Sequence, residues 1–260
     1  MYRWLLLLLC SLAPAAQAAS YTFAVQPIQS PAKTKAVFQH LVDYLGKTTG
    51  HEFKLVTNSN FLVYWQAMRQ GQYDLIFDAA HFTDYRIQKM GYTVLAKVLG
   101  NVSLSLVAAP GADVLDPKDL AGKGVAVQPV PSVAALALNR WFTGEIMRRP
   151  RLIEALSSEE AATLALDGKA VAAMIPTPMA SQYPKLTLVT STDPIPGLAI
   201  SASGKVPADA QNAIATALTS ATKTPEGQKM LKEVNLPGFE PATADAYKGY
   251  ESWLKGQHGY

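Results

Sequence analysis

From residue 21 onward, short apolar runs alternate with stretches of helical spacing. Residues 21–25 (Tyr-Thr-Phe-Ala-Val) alternate with the period of a strand. A proline-containing loop follows, and then Val37, Phe38, Leu41, Val42 and Leu45 recur at helical spacing. Ser30 is the N-cap, Pro31 the first helical residue, and Gly46 and Gly50 are the stop signals. Residues 53–56 read as a second strand and 61–70 as a second helix. Residues 73–77 (Tyr-Asp-Leu-Ile-Phe) form a short buried strand that emerges at Asp78. The order strand, helix, strand, helix, strand predicts a mainly parallel sheet flanked by helices, an α/β fold.

The pattern then repeats. A helix over 82–89 leads to apolar strands over 94–98 and 103–108, joined by Gly100-Asn101. A strand at 124–127 runs through a Gln-Pro-Val-Pro-Ser loop into a helix beginning at Val133. Apolar residues 152–156 precede the acid-rich helix start Ser157-Ser158-Glu159-Glu160. Residues 165–176 then echo residues 67–78: a helix end, a glycine (Gly168 matching Gly71), a small linker and a buried apolar strand. Two α/β lobes of like plan follow from the echo. Strands at 186–189 and 198–202 flank a proline-bounded connector, and helices are predicted over 208–221, 225–234 and 242–254. The chain is expected to cross between lobes near 95–105 and 187–197. That gives lobe 1 as 19–98 with 197–260, lobe 2 as 99–196, and a two-stranded hinge beside a cleft.

The first residues change the picture of where this fold resides. Met1-Tyr2-Arg3-Trp4, the apolar run 5–12 and Ala16-Gln17-Ala18 make a secretory signal peptide over residues 1–18. Its loss leaves about 240 residues, enough for two small lobes. The single cysteine, Cys10, lies inside that signal, so a disulfide framework is not expected; lipidation at Cys10 is the weaker reading. Removing Arg3 leaves 22 of the 23 Lys+Arg against 20 Asp+Glu. That balance gives no electrostatic case for nucleic acid or an anionic membrane. A monomeric periplasmic protein without membrane insertion is expected.

Candidate chemistry gathers where strands end. In an open α/β sheet, ligands collect beyond the carboxyl ends of the strands, which makes Asp78 the first candidate. Ser30-Pro31 and Pro131-Ser132 each open a helix after a strand, and two such helix starts facing one cleft favour an anion. Gln26 and Gln128 begin the two loops that lead into these helices. Asp78-x-x-His81-x-x-Asp84 carries metal-compatible side chains but lacks convergence, so no metal is expected, and no cofactor. Ser30-Pro31-Ala32-Lys33 matches Ser-x-x-Lys, which keeps an exported serine hydrolase open as the enzymatic alternative. Its companion motifs Ser-Asp-Asn and Lys-Thr-Gly are missing. Gly122-Lys123-Gly124 precedes a strand and is no dinucleotide loop.

Several segments together resemble the phosphate/phosphite/phosphonate-type periplasmic substrate-binding proteins of ABC importers. They are Asn60-Phe61, the run 67–76, His81-Phe82-Thr83-Asp84-Tyr85, the run 120–127, Asp193-Pro194-Ile195-Pro196-Gly197, Thr224-Pro225-Glu226-Gly227, Gly238-Phe239 and Tyr247. The resemblance implies a two-lobed, type II-like binding protein that closes on an oxyanion without catalysis and delivers it to an ABC permease. A membrane sensor is the alternative partner. Carried over by position, ligand contacts fall near Phe61, Asp78, Ser132 and Ser158, and Gln26, Ser30, Tyr64, His81 and Gln128 complete the expected ligand-binding set. The chain departs from the family at these places. It has Phe61 where a tyrosine is usual, Pro131-Ser132-Val133-Ala134 in place of Ser-Thr-Ser-Gly, Ser158 in place of a histidine, and an acid at Asp78. An added carboxylate opposes a dianion, so a protonated oxyanion, a less charged solute or an amine-bearing one is compatible with the site.

Overall fold

The structure is a computed structural model that describes residues 19–256; the expected signal peptide lies outside the described residues. The first half runs β1 (Ser20–Val25), α1 (Pro31–Thr49), β2 (Glu52–Val56), α2 (Phe61–Arg69), β3 (Leu75–Asp78), α3 (Ala80–Met90) and β4 (Thr93–Val98). It continues through β5 (Asn101–Val102), β6 (Leu104–Ala108), β7 (Gly124–Val127), α4 (Val133–Arg140), β8 (Arg151–Glu154), α5 (Ser158–Leu166), β9 (Ala172–Pro176), the short α6 (Thr177–Ala180) and β10 (Thr187–Ser191). The return consists of β11 (Ile195–Pro196), β12 (Ala199–Ala202), α7 (Ala208–Ser220), α8 (Pro225–Glu233) and β13 (Phe239–Glu240).

Two separate sheets result, in strand orders β13-β4-β12-β3-β1-β2 and β10-β6-β9-β7-β8. Each has a parallel centre: β1 lies between β2 and β3, and β7 between β8 and β9. The remaining pairings are antiparallel, because the strands entering or leaving a crossover run against their neighbours. The sheets are therefore mixed, with the expected parallel order confined to three strands in each. The two-residue strands β5 and β11 pair with each other between the lobes, Ile195 opposite Val102 and Pro196 opposite Asn101. They form the two-stranded hinge. Asn101, read from sequence as part of a loop, belongs to it.

Burial follows the helical periodicity. Phe38, Leu41, Val42 and Leu45 of α1 pack with Ile214, Ala217 and Leu218 of α7 and with Met230 and Leu231 of α8 over one face of the first sheet. The opposite face is aromatic: Phe61, Tyr64, Trp65, Tyr73, Phe82 and Tyr92. The echoed turns at Gly71 and Gly168 both take left-handed backbone (φ 66° and 70°), which only glycine adopts without strain. Gly46, read as a stop, lies inside α1, and the helix ends at Gly50 in a left-handed cap.

One predicted helix is different. Residues 242–254 form two separate 3-10 turns, Ala244–Tyr247 and Tyr250–Leu254, interrupted at Gly249 (φ 96°). This segment crosses the back of the hinge. The Tyr247 hydroxyl donates to the Gly197 carbonyl at 2.8 Å, and its ring joins the apolar cluster that includes Ala80, Ala199, Val127 and Ala137. Gly197 is constrained by close approach: a Cβ there would stand 2.6 Å from the Val98 carbonyl oxygen. Gly197→Ala is expected to destabilise by about 1–3 kcal/mol, read as a lower urea midpoint. An unchanged midpoint would show that the backbone on either side of the hinge yields freely.

Candidate functional site

A cavity of about 230 Å³ lies between the lobes. Gln26, Ile28, Gln29, Phe61 and Leu198 line it from the first lobe, Val102 to Leu104 line it at the hinge, and Gln128, Ser132, Ser158, Glu159 and Met179 line it from the second. Three helix starts line it, those of α2 at Phe61, α4 at Ser132 and Val133, and α5 at Ser158, while α1 begins at its edge after Gln29. Ser30, Asn60, Ser132 and Ser157 cap α1, α2, α4 and α5 through their side chains, accepting from the N–H groups of Lys33, Val63, Ala135 and Glu160 respectively. Each cap satisfies one of the unpaired N–H groups of its first turn. In α2, α4 and α5 the others, with the positive end of the helix dipole, remain for a guest, whereas α1 opens on Pro31, which has no N–H, at an exposed position.

The lobes touch across this cavity. The Gln128 amide nitrogen sits 3.4 Å from the Pro27 carbonyl and 3.3 Å from that of Leu156. The His81 Nε2 lies 2.9 Å from the Pro131 carbonyl, so it is the protonated nitrogen that donates. At the rim, Lys33 Nζ of α1 stands 3.8 Å from Glu159 Oε1 of α5. The rim pair is exposed and contributes little stability. The Pro27, Pro131 and Glu159 contacts each join one lobe to the other.

Of the nine expected ligand-binding residues, Gln26, Phe61, Gln128, Ser132 and Ser158 line the cavity. Ser30 caps α1 at its edge with an exposed side chain. Tyr64, Asp78 and His81 are not among the lining residues; all three are withdrawn from solvent. The Asp78 carboxylate meets Arg86 in a bidentate pair, Nη1–Oδ2 at 2.5 Å and Nη2–Oδ1 at 2.7 Å. It also accepts from the hydroxyls of Tyr64 and Thr83. Arg86 reaches onward to Ser201 Oγ at 2.8 Å. The acid at the strand mouth is thus neutralised inside the lobe, against the expectation that it confronts the ligand. Burial pushes the Tyr64 phenol well up, and the Asp78 charge adds to the effect. For Arg86, burial acts downward, but the Asp78 charge and hydrogen bonds outweigh it and the net direction is up. Burial holds His81 down to about 4, although Asp78 and the Pro131 hydrogen bond pull it the other way. Ser30 and Lys33 do not form a nucleophile–base pair: the hydroxyl accepts the Lys33 backbone N–H, and the ammonium faces Glu159. Asp84 turns to the Glu251 backbone N–H, away from Asp78. No metal-competent group occurs among the described residues.

Sequence reasoning missed Gln29 and Glu159 in the lining, and Arg86 as the partner of Asp78. A cation two turns into a helix, beside Phe82, was the available signal for Arg86. A second, more open groove of about 550 Å³ lies behind the hinge, between the end of α4 and the carboxyl-terminal turns. There the Arg140 guanidinium stacks 4.7 Å over Trp253.

A sequence model of the ABC-transporter phosphonate periplasmic substrate-binding proteins matches residues 23–247, most of the chain. The chain belongs to this family. No curated protein matches the sequence. Among solved structures, PhnD1 from Prochlorococcus marinus, in complex with methylphosphonate, superposes with a TM-score of 0.78 at 15% identity, covering 90% of this chain and 97% of that one. A binding-protein component of an ABC phosphonate transporter from Pseudomonas aeruginosa (PA3383) gives 0.71 at 14%, covering 89% and 84%. The periplasmic VFT2 domain of Bordetella pertussis BvgS gives 0.53 at 17%, covering 83% and 92%. At these identities the likeness carries the fold alone: two α/β lobes on a hinge, as in other periplasmic binding proteins. The family is one of transport, with a small-molecule ligand and an ABC permease as partner. No helix among the described residues is long and apolar enough to cross a membrane.

Two outcomes follow for the buried groups. Asp78→Asn strands the Arg86 charge and is expected to cost about 3–5 kcal/mol in chemical denaturation. The double change with Arg86→Met should recover much of that loss, and an equal loss in the double variant would argue against the pair as its origin. His81 has its folded pKa, about 4, below the ordinary 6.5. Its contribution is therefore fully present above pH 6.5 and lost as pH falls toward 4. His81→Gln should flatten that part of the stability–pH curve; an unaltered curve would place the proton uptake elsewhere.

Proposed function

We propose that the protein captures a phosphonate- or phosphate-like oxyanion in the cleft between its lobes and delivers it to an ABC importer. The single observation that carries this reading is the meeting of three helix starts, those of α2, α4 and α5, on one inter-lobe cavity, in a chain that belongs to this family. Ser132 and Ser158 stand at two of those starts and Phe61 at the third, and Ser30 caps α1 at the edge of the cavity. Gln26 and Gln128 supply the side-chain amides. Tyr64, Asp78 and His81 act from behind the wall, fixing α2, β3 and α3 so that the lining keeps its shape.

In this reading residues 1–18 direct export and are removed, and the mature protein acts as a periplasmic monomer. Lobe 1 is formed by 19–98 and 197–260 and lobe 2 by 99–196, the carboxyl-terminal turns strapping the two together at Tyr247. The work is binding rather than catalysis, supported by the separation of the Ser30 hydroxyl from the Lys33 ammonium.

Thermal unfolding of the mature chain against phosphate, phosphite, sulfate, phosphonates and amino compounds tests the proposal. A ligand present at a hundred times its Kd stabilises by about 2.7 kcal/mol. In a chain of this size that raises the Tm by about 5–10 °C. A phosphorus oxyanion is expected to produce that shift. If none does, while another class of solute does, the oxyanion reading is wrong.

A further inference from the structure

We propose that His81 is a proton-controlled positioning residue between the lobes. Its neutral ring holds the start of α4 against the start of α3, and a protonated ring releases it, so that the ligand is held less tightly in acid. The inference rests on the reading of the cleft as a ligand site and adds a regulation to it. It starts from one contact across the seam. His81 lies in the first turn of α3, on the first lobe, and its Nε2–H donates to the Pro131 carbonyl, on the second, at 2.9 Å. Pro131 precedes Ser132, the N-cap of α4 and a liner of the cavity. Just before His81, the Ala79 N–H donates to the Gln26 Oε1 at 3.2 Å, and Gln26 lines the facing wall. The imidazole thus stands between two liners, one from each lobe.

The place fits a neutral ring alone. His81 is 0% exposed, and its Nδ1 is buried with no partner among the described residues. In the neutral ring that nitrogen is a lone pair. In the imidazolium it is a second N–H, and a buried donor left unsatisfied is costly. The positive end of the α3 dipole opposes a cation at the same spot, and the N-cap Ala79 brings no side-chain oxygen to offset it. The charges that act on the ring are Asp78 from β3 and Arg86 from α3, and these are bound to each other. Asp84, one turn along α3, accepts from the Glu251 N–H. From α2 comes the Tyr64 phenol, and from the carboxyl-terminal turns come the Tyr247 phenol and Glu251, the last of these 3.8 Å from Lys89. Burial pushes both phenols up. On the second lobe, residues 128–139 contain no ionisable side chain. None of these groups gives Nδ1 an acceptor. Separation of the lobes would bring both ring nitrogens to water, where the ordinary 6.5 applies; in the seam burial holds the ring to about 4. Protons therefore favour separated lobes, from about pH 6.5 downward, and the effect is complete near pH 4.

Calorimetric titration with methylphosphonate at pH 7.5 and pH 5.0, on the mature chain and on His81→Gln, tests the inference. The glutamine amide keeps an N–H donor for Pro131 and takes up no proton. The ligand's own titration is common to both chains and cancels in the comparison. Between the two pH values the wild-type affinity is expected to fall by about threefold to thirtyfold more than that of the variant. In the unmodified chain, the His81 ring signals in proton NMR are expected to titrate well below pH 6.5. Equal pH dependence in the two chains, or an ordinary midpoint for the His81 ring, would overturn this inference and leave the oxyanion reading standing. Failure of methylphosphonate, phosphate and phosphite to bind either chain would count against the oxyanion reading, and the ring titration would then decide the role of His81 by itself.

Discussion

Arg86 and Asp78 are both fully withdrawn from water, and neither charge could remain there without the other. Their pairing joins four elements. Asp78 ends β3, Arg86 lies on α3, the Tyr64 hydroxyl comes from α2, and Ser201 comes from β12. Met68 of α2 also packs its sulfur 3.3 Å from the guanidinium. The start of α2, with Phe61, and the start of α3, with His81, are thereby set relative to the sheet. Replacing the pair by apolar residues of similar volume could leave stability unchanged. What the pair supplies is the fixed geometry of the wall, at no net charge.

With the pair silent, the field inside the cleft comes from backbone. The starts of α2, α4 and α5 supply positive potential, no cationic side chain is in the lining among the described residues, and Glu159 works against them. The apolar patches at Phe61, Met179 and Leu198 give the rest of a guest a surface to bury. At Phe61 the lining carries no hydroxyl, and at Ser158 it carries an uncharged one.

Periodicity and punctuation made most of the architecture legible. Ser30-Pro31, Asn60 and Ser157 cap helices, and the matching glycines Gly71 and Gly168 disclosed the two-lobed plan. The carboxyl-terminal segment misled because Tyr247, Tyr250 and Leu254 carry helical spacing while Gly249 breaks the backbone between them. The lining of the cavity was legible only where a residue's position along its element fixes its direction. Gln26, Gln128 and Ser132 sit in loops that lead into helices, and such loops face the cleft. Asp78 could not be placed, because a strand-end acid looks alike in sequence whether it meets solvent, ligand or a buried arginine eight residues on.

The interleaved connectivity of the two sheets also sets an order of assembly. Every strand of the second sheet lies within one continuous run, from β6 to β10, complete at Ser191. The first sheet begins at Ser20, yet β12, at its centre between β4 and β3, arrives only with residues 199–202. Its covering helices α7 and α8 come later still. A chain emerging amino end first can finish the second lobe while the first waits, its aromatic face laid out and its middle strand missing. The half of the molecule that is made first is the half that closes last.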